Sequence, residues 1–242
     1  VSDQLNRPLR DLRISVTDRC NFRCVYCMPR EVFGPGYAFV TRKDLLTLEE
    51  IARIAQAFAT LGMRKVRITG GEPLIRRNLE HLIEMLNATS GIEDISLTTN
   101  GSMLTAGRAL ALKQAGLRRL TVSLDALDDK TFKQINDVDY PASRVLDGIE
   151  NARSAGFSEI KVNAVVRRGF NEHAVLDLVD YFRGTGCIVR FIEYMDVGNL
   201  NGWELKDVLS IEEILKLIEI KYKVEKIQSQ LVTVIVVVDL PG

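Results

Sequence analysis

Thr17-Asp18-Arg19-Cys20-Asn21-Phe22-Arg23-Cys24-Val25-Tyr26-Cys27-Met28-Pro29 places three cysteines in a C-x3-C-x2-C spacing, directly after a short alternating strand candidate, Leu12-Arg13-Ile14-Ser15-Val16. Three thiolates this close together can hold three irons of a cubane cluster, which leaves the fourth iron open to an outside ligand. The competing reading is a zinc site completed by Cys187 or a histidine. Structural zinc usually draws two ligand pairs from separate knuckles. Here no second cysteine pair exists, and the two histidines, His81 and His173, sit in helix-like segments. An iron–sulfur cluster with a vacant position is therefore the leading reading.

Outward from this loop, one phrase repeats. Thr47-Leu48-Glu49-Glu50 has the form of a capping box, and Ile51, Ala55, Phe58 and Ala59 follow at helical spacing until Gly62. Lys65-Val66-Arg67-Ile68-Thr69 reads as a strand running into Gly70-Gly71-Glu72-Pro73, and Leu79, Leu82, Ile83 and Leu86 mark the next helix. Further strands are expected at 95–99, 120–124, 160–166 and 188–192, with the intervening helices ending near Gly116, Gly156 and Gly184 or Gly186. Six strands joined by long helical crossovers predict an α/β fold, a partial (βα)6 barrel of parallel strands. A flat doubly wound sheet is the alternative. Residues 1–195 form the expected barrel and 196–242 an extension. The extension reads as a loop with Gly198, Asn199, Asn201, Gly202 and Trp203, a second capping box at Ser210-Ile211-Glu212-Glu213, and a β-branched run at 231–240 that needs a sheet neighbour.

The alternation inside the strands tells which side faces what. Arg13, Ser15 and Thr17 share a face, as do Lys65, Arg67 and Thr69; Ser96, Thr98 and Asn100; Thr121, Ser123 and Asp125; and Lys161 and Asn163. Ile14, Val16, Val66, Ile68, Leu97, Val122, Leu124 and Val162 lie opposite. Helices cover the outside of a parallel barrel, so the apolar faces point outward and the lumen is polar and basic. An eight-stranded barrel usually fills its interior with Val, Ile and Leu. This lumen is suited to a polar, anionic ligand.

Composition excludes several classes. With 46% hydrophobic and 26% charged residues, the chain is an ordinary globular sequence. Its 32 basic and 32 acidic side chains balance, which favours neither nucleic acid nor membrane. No apolar run is long enough to span a bilayer, no signal segment opens the sequence, and the cysteines are not distributed as a disulfide framework. A reducing, cytoplasmic setting is expected. Cys187 reads as a small buried filler and the histidines as helix-surface residues.

The phrases around the triad are similar to those of the radical S-adenosylmethionine superfamily: the spacing itself, Tyr26 before the last cysteine, and Gly70-Gly71-Glu72-Pro73 after the second strand. More narrowly, residues 12–20, 67–74, Leu97-Thr98-Thr99-Asn100-Gly101, Val122-Ser123-Leu124-Asp125, Lys161-Val162-Asn163 and Arg190-Phe191-Ile192-Glu193-Tyr194-Met195 resemble the GTP 3',8-cyclases, the molybdenum cofactor biosynthesis protein A family. The resemblance runs from about residue 9 to 220. It implies a [4Fe-4S] cluster on Cys20, Cys24 and Cys27, with S-adenosylmethionine on the open iron. It implies that Tyr26, Gly71, Ser123 and Met195 surround S-adenosylmethionine and that Arg13, Arg67, Thr98 and Lys161 contact GTP, with Lys65 and Arg190 as weaker candidates for the phosphates. The alternative for these cations is pairing with Glu72, Asp125 or Glu193.

The implied reaction cleaves S-adenosylmethionine to a 5'-deoxyadenosyl radical, which takes hydrogen from C3' of GTP before the sugar radical attacks C8. The implied partners are an electron donor, a downstream cyclic pyranopterin monophosphate synthase and a second copy in a homodimer. Family members carry three further cysteines for a second cluster that anchors guanine. No cysteine follows Cys187 here, so no second cluster is expected from this sequence. A radical enzyme on another polar substrate such as a peptide, and a binding fragment without turnover, stay open at this point.

Overall fold

The computed structural model describes residues 2–197, 202–228 and 233–237. Strands form where polar and apolar residues alternate: β1 (Asp11–Ser15), β2 (Lys65–Thr69), β3 (Asp94–Thr99), β4 (Arg119–Ser123), β5 (Ile160–Val166) and β6 (Ile188–Glu193). They make one sheet in the order β1-β2-β3-β4-β5-β6, every neighbour parallel. A doubly wound sheet reverses its strand order at a switch point. No reversal occurs here, so the partial barrel is the right description and the flat sheet is not.

The crossovers carry α1 (Leu48–Thr60), α2 (Leu79–Asn87), α3 (Ala106–Gln114), α4 (Asp129–Asn136), α5 (Ala142–Ser154) and α6 (Ala174–Phe182). Their apolar stripes cover one face of the sheet. Val66, Ile68, Leu97, Val122 and Val162 are buried there in one core with Ile51, Leu82, Leu86, Leu112, Ile149 and Leu178. On the other face Arg13, Lys65 and Arg67 are exposed, while Thr98, Ser123, Lys161, Asn163 and Arg190 are half-buried. The polar lumen is thus the direct result of a period-two pattern with helices on one side only.

The box opening α1 forms as read: Thr47 Oγ1 accepts from Glu50 N at 3.1 Å and Glu50 Oε2 accepts from Thr47 N at 2.8 Å. Gly62 and Gly116 stop α1 and α3 with φ of 105° and 106°, a region that penalises any side chain. After β6, a short 3-10 turn (Leu205–Asp207) leads to α7 (Ile211–Glu219), then to an antiparallel hairpin of β7 (Val224–Gln228) and β8 (Thr233–Val237). Ile214 and Ile218 of α7 pack with Val175 and Val179 of α6 in a second, smaller core. Part of the β-branched run therefore has its sheet neighbour. Its remainder, and the loop positions Gly198, Asn199 and Asn201, lie outside the described residues. Among the described residues no helix is long and apolar enough to cross a membrane.

Candidate active site

The cysteine loop leaves the C-terminal end of β1 and lies against two partners. On one side it runs along the glycines that follow β2. Gly71 N donates to Thr17 O at 2.7 Å and Glu72 N to Arg19 O at 2.8 Å. A Cβ on Gly70 would meet Thr17 O at 2.6 Å, and one on Gly71 would overlap the Arg19 carbonyl. Two backbones approach here more closely than any side chain permits. On the other side, Phe22 meets Phe132 of α4 edge to face, with 6.2 Å between centroids.

Arg23 braces the loop from within. Its guanidinium donates to Cys20 O and Phe22 O, both at 2.8 Å, and to Phe33 O at 2.9 Å. Sequence reading assigned Arg23 no role, because an arginine between cysteines gives no sign of which carbonyls it will meet.

One buried carboxylate, Asp125, ties the loop to the barrel rim, and a second, Glu72, ties the glycine turn after β2 to the end of β3. Tyr26 Oη donates to Asp125 Oδ2 at 2.9 Å, and Val165 N donates to Asp125 Oδ1 at 2.8 Å. Burial pushes the Asp125 carboxyl up to about 6 against the pull of these two bonds, and burial together with Asp125 pushes the Tyr26 phenol well above its ordinary value. Glu72 accepts from Asn100 N and from the Thr99 hydroxyl, each at 2.7 Å, and from Leu74 N at 3.0 Å. Burial still raises its pKa. Glu193 accepts from Ile211 N at 2.6 Å. All three acids are thus engaged by backbone amides and hydroxyls, not by the lumen cations.

Those cations stay uncompensated. Among the described residues, Arg13, Lys65, Arg67, Lys161 and Arg190 make no ion pair. Arg13 and Arg67 are register partners across β1 and β2. Burial first, then Arg190, Arg119 and Arg67, lowers the Lys161 pKa, and burial with Arg67 and Arg119 lowers that of Arg190. Arg190 Nε donates to Asn163 Oδ1 at 2.8 Å. Arg119 belongs to the same field. It was missed because strand four was read as starting at residue 120, although its parity with Thr121 places it on the lumen face. It is tied to Asp94 at the base of β3, with Nε donating to Oδ1 at 3.0 Å.

The remaining expected residues fall on one rim. Ser123 ends β4, Thr98 lies on β3, and Met195, 54% exposed, follows β6. Cys187 is half-buried rather than buried and precedes β6, at the opposite end of the strands from the cysteine loop. His81 lies 3.5 Å from Glu84, and His173 lies 3.2 Å from Thr131. No fourth zinc ligand comes from these three.

The donor set suits a cluster. Cys20, Cys24 and Cys27 are free thiols, near enough for their charges to act on one another, yet among the described residues no three His, Cys, Asp or Glu side chains close on a single ion. Asp18 Oδ1 is buried without a partner in the same loop. Three sulfurs spread around one end of a polar trough present themselves to a polynuclear group.

Residues 14–182 match the family described as the Radical SAM superfamily. A crystal structure of Streptococcus suis SuiB bound to S-adenosylmethionine shares the fold, with a TM-score of 0.69 at 18% identity over 88% of this chain and 47% of that one. The class is that of the radical SAM proteins, whose cofactors are a [4Fe-4S] cluster and S-adenosylmethionine. A GTP 3',8-cyclase of Staphylococcus epidermidis is 52% identical over 227 residues, covering 94% of this chain and 66% of that protein. One of Staphylococcus aureus is 49% identical over 230 residues, covering 95% of this chain and 67% of that protein. The chain belongs to the radical SAM superfamily and, within it, to the GTP 3',8-cyclase family. It spans about two thirds of the length of the relatives it matches.

Proposed function

We propose that this chain is the S-adenosylmethionine-binding part of a GTP 3',8-cyclase, converting GTP to (8S)-3',8-cyclo-7,8-dihydroguanosine 5'-triphosphate at the start of molybdenum cofactor biosynthesis. The observation that carries this reading is the group of cations on the lumen face of the strands that, among the described residues, make no ion pair. The half-buried Lys161 and Arg190 are costly without an ionic partner, the exposed Arg13, Lys65 and Arg67 add to the same positive field, and a triphosphate is the natural complement of both. Arg13, Arg67, Thr98 and Lys161 contact the nucleotide, with Lys65 and Arg190 extending the phosphate site.

Cys20, Cys24 and Cys27 hold the cluster, and Tyr26, Gly71, Ser123 and Met195 surround S-adenosylmethionine. Bound together, these cofactors supply a 5'-deoxyadenosyl radical when an electron arrives from a donor protein. The chain's own part is to orient: the Gly70–Gly71 turn brings backbone groups close to the cluster loop, and the cations hold the triphosphate so that one ribose carbon faces the radical. The product passes to a cyclic pyranopterin monophosphate synthase.

Anaerobic reconstitution with iron and sulfide, followed by S-adenosylmethionine and dithionite, is expected to release 5'-deoxyadenosine. Its absence would sink the radical reading. In a full-length protein, Arg67→Glu is expected to weaken GTP binding at least tenfold, and unchanged affinity removes Arg67 from the phosphate site.

A further inference from the structure

We propose that Asn136 is a positioning residue for the Cys24 sulfur, setting the electron affinity of the cluster through its side-chain amide. The inference rests on the reading above that Cys24 is an iron ligand.

Three contacts join the last turn of α4 to the middle of the cysteine loop. Arg23 N donates to Asn136 O and Val25 N to Ile135 O, both at 2.9 Å, so the residues on either side of Cys24 hang from the helix end. Between them the Cys24 thiol donates to Asn136 Oδ1 at 3.0 Å, while Asn136 Nδ2 donates to Phe132 O at 2.8 Å. Asn136 is 3% exposed. Asp137, with φ of 47°, ends the helix directly after it. The amide therefore has one place to be, and that place is against the sulfur.

A sulfur bonded to iron has no proton to give and only accepts. It stands at the C-terminal end of α4, the negative pole of the helix, which disfavours added negative charge. An amide oxygen at 3.0 Å from a metal-bound thiolate adds to that repulsion. Rotating the terminal amide by half a turn exchanges Oδ1 for Nδ2 at the same spot, because the two ends of a carboxamide are nearly the same size. The same turn gives up the Nδ2–H···O bond to Phe132 and brings Oδ1 towards that carbonyl, a cost that the charge-assisted bond to the thiolate exceeds. An N–H then faces the sulfur, withdraws electron density from it and stabilises the reduced cluster. Asn136 thus accepts from the thiol in the empty loop and donates to the thiolate in the loaded one. Asn100 shows the second half of this chemistry on the other flank, with Nδ2 3.8 Å from the Cys20 sulfur.

The test compares wild type, Asn136→Asp and Asn136→Leu after anaerobic reconstitution, reading iron per chain and the midpoint potential of the cluster by EPR-monitored titration. The expected result is a more negative potential in both variants, larger for Asn136→Asp, at undiminished iron content. A potential equal to wild type in either iron-loaded variant overturns the proposal. A second measurement uses 15N-asparagine labelling: beside the couplings from Asn21 and Asn100 on the Cys20 flank, pulsed EPR of the wild-type cluster is expected to show one that Asn136→Asp lacks, and an identical set of couplings in the two proteins overturns the proposal. Failure of wild type to take up iron overturns the cluster reading itself.

Discussion

Gly71 carries the sharpest single-residue constraint, since a methyl group there would overlap the Arg19 carbonyl within the cysteine loop. Gly71→Ala is expected to cost about 1–3 kcal/mol of stability by overpacking and to weaken S-adenosylmethionine binding at least tenfold. Calorimetric affinity equal to wild type would show that the loop does not need this close approach. The cysteines and this glycine were legible in the sequence because their chemistry is carried by residue type and local spacing. Asp125 and Asn136 were not legible in their roles, because their partners Tyr26 and Cys24 lie 99 and 112 residues away along the chain. An aspartate or asparagine near the end of an element reads as an ordinary cap until the fold shows what stands opposite. Arg23 is a third such case, a charge whose task is set by three carbonyls that only the folded loop assembles.

Elements were read with most success where two independent signals agreed. The second capping box is one: Ser210 and Glu213 exchange hydrogen bonds at the start of α7, and Glu213 also meets the Arg168 guanidinium at 2.7 Å. Ser210→Ala is expected to cost about 1 kcal/mol in thermal or urea unfolding. Arg168 and Ser210 hold the Glu213 carboxyl down at about 2. A depressed carboxylate stabilises fully above its unfolded value, about 4.3, and loses that contribution as pH falls through its folded value. The difference in melting temperature between wild type and Glu213→Gln should therefore hold steady from neutral pH to about 5 and shrink below about 4.3. A difference independent of pH would show that the Arg168 pair contributes nothing. Strand boundaries were the weaker part of the reading. The one-residue error at β4 hid Arg119, because parity decides whether a side chain faces the lumen or the helices. The β-branched run could be recognised as strand but not paired, since nothing local names the partner that β7 supplies.

At the scale of the molecule, like charges gather in one trough and wait for a counter-charge. Lys161 holds its charge against opposition, as burial and the three arginines around it lower its pKa while Glu159 raises it. Lys161→Met should leave the melting temperature of the empty protein unchanged or raised, while reducing by half or more the rise produced by tripolyphosphate. That rise should also fall with added salt, since the screening length is only about 8 Å at physiological ionic strength. A Lys161→Met protein that responds to tripolyphosphate like wild type would remove this residue from the phosphate site. The same strands that carry these charges inward carry Val66, Ile68, Leu97, Val122 and Val162 outward into the core. Alternate letters of one strand therefore do different work: a change at an exposed inward letter such as Arg13 or Arg67 alters what the trough can bind, while a change at an outward letter alters whether the scaffold stands.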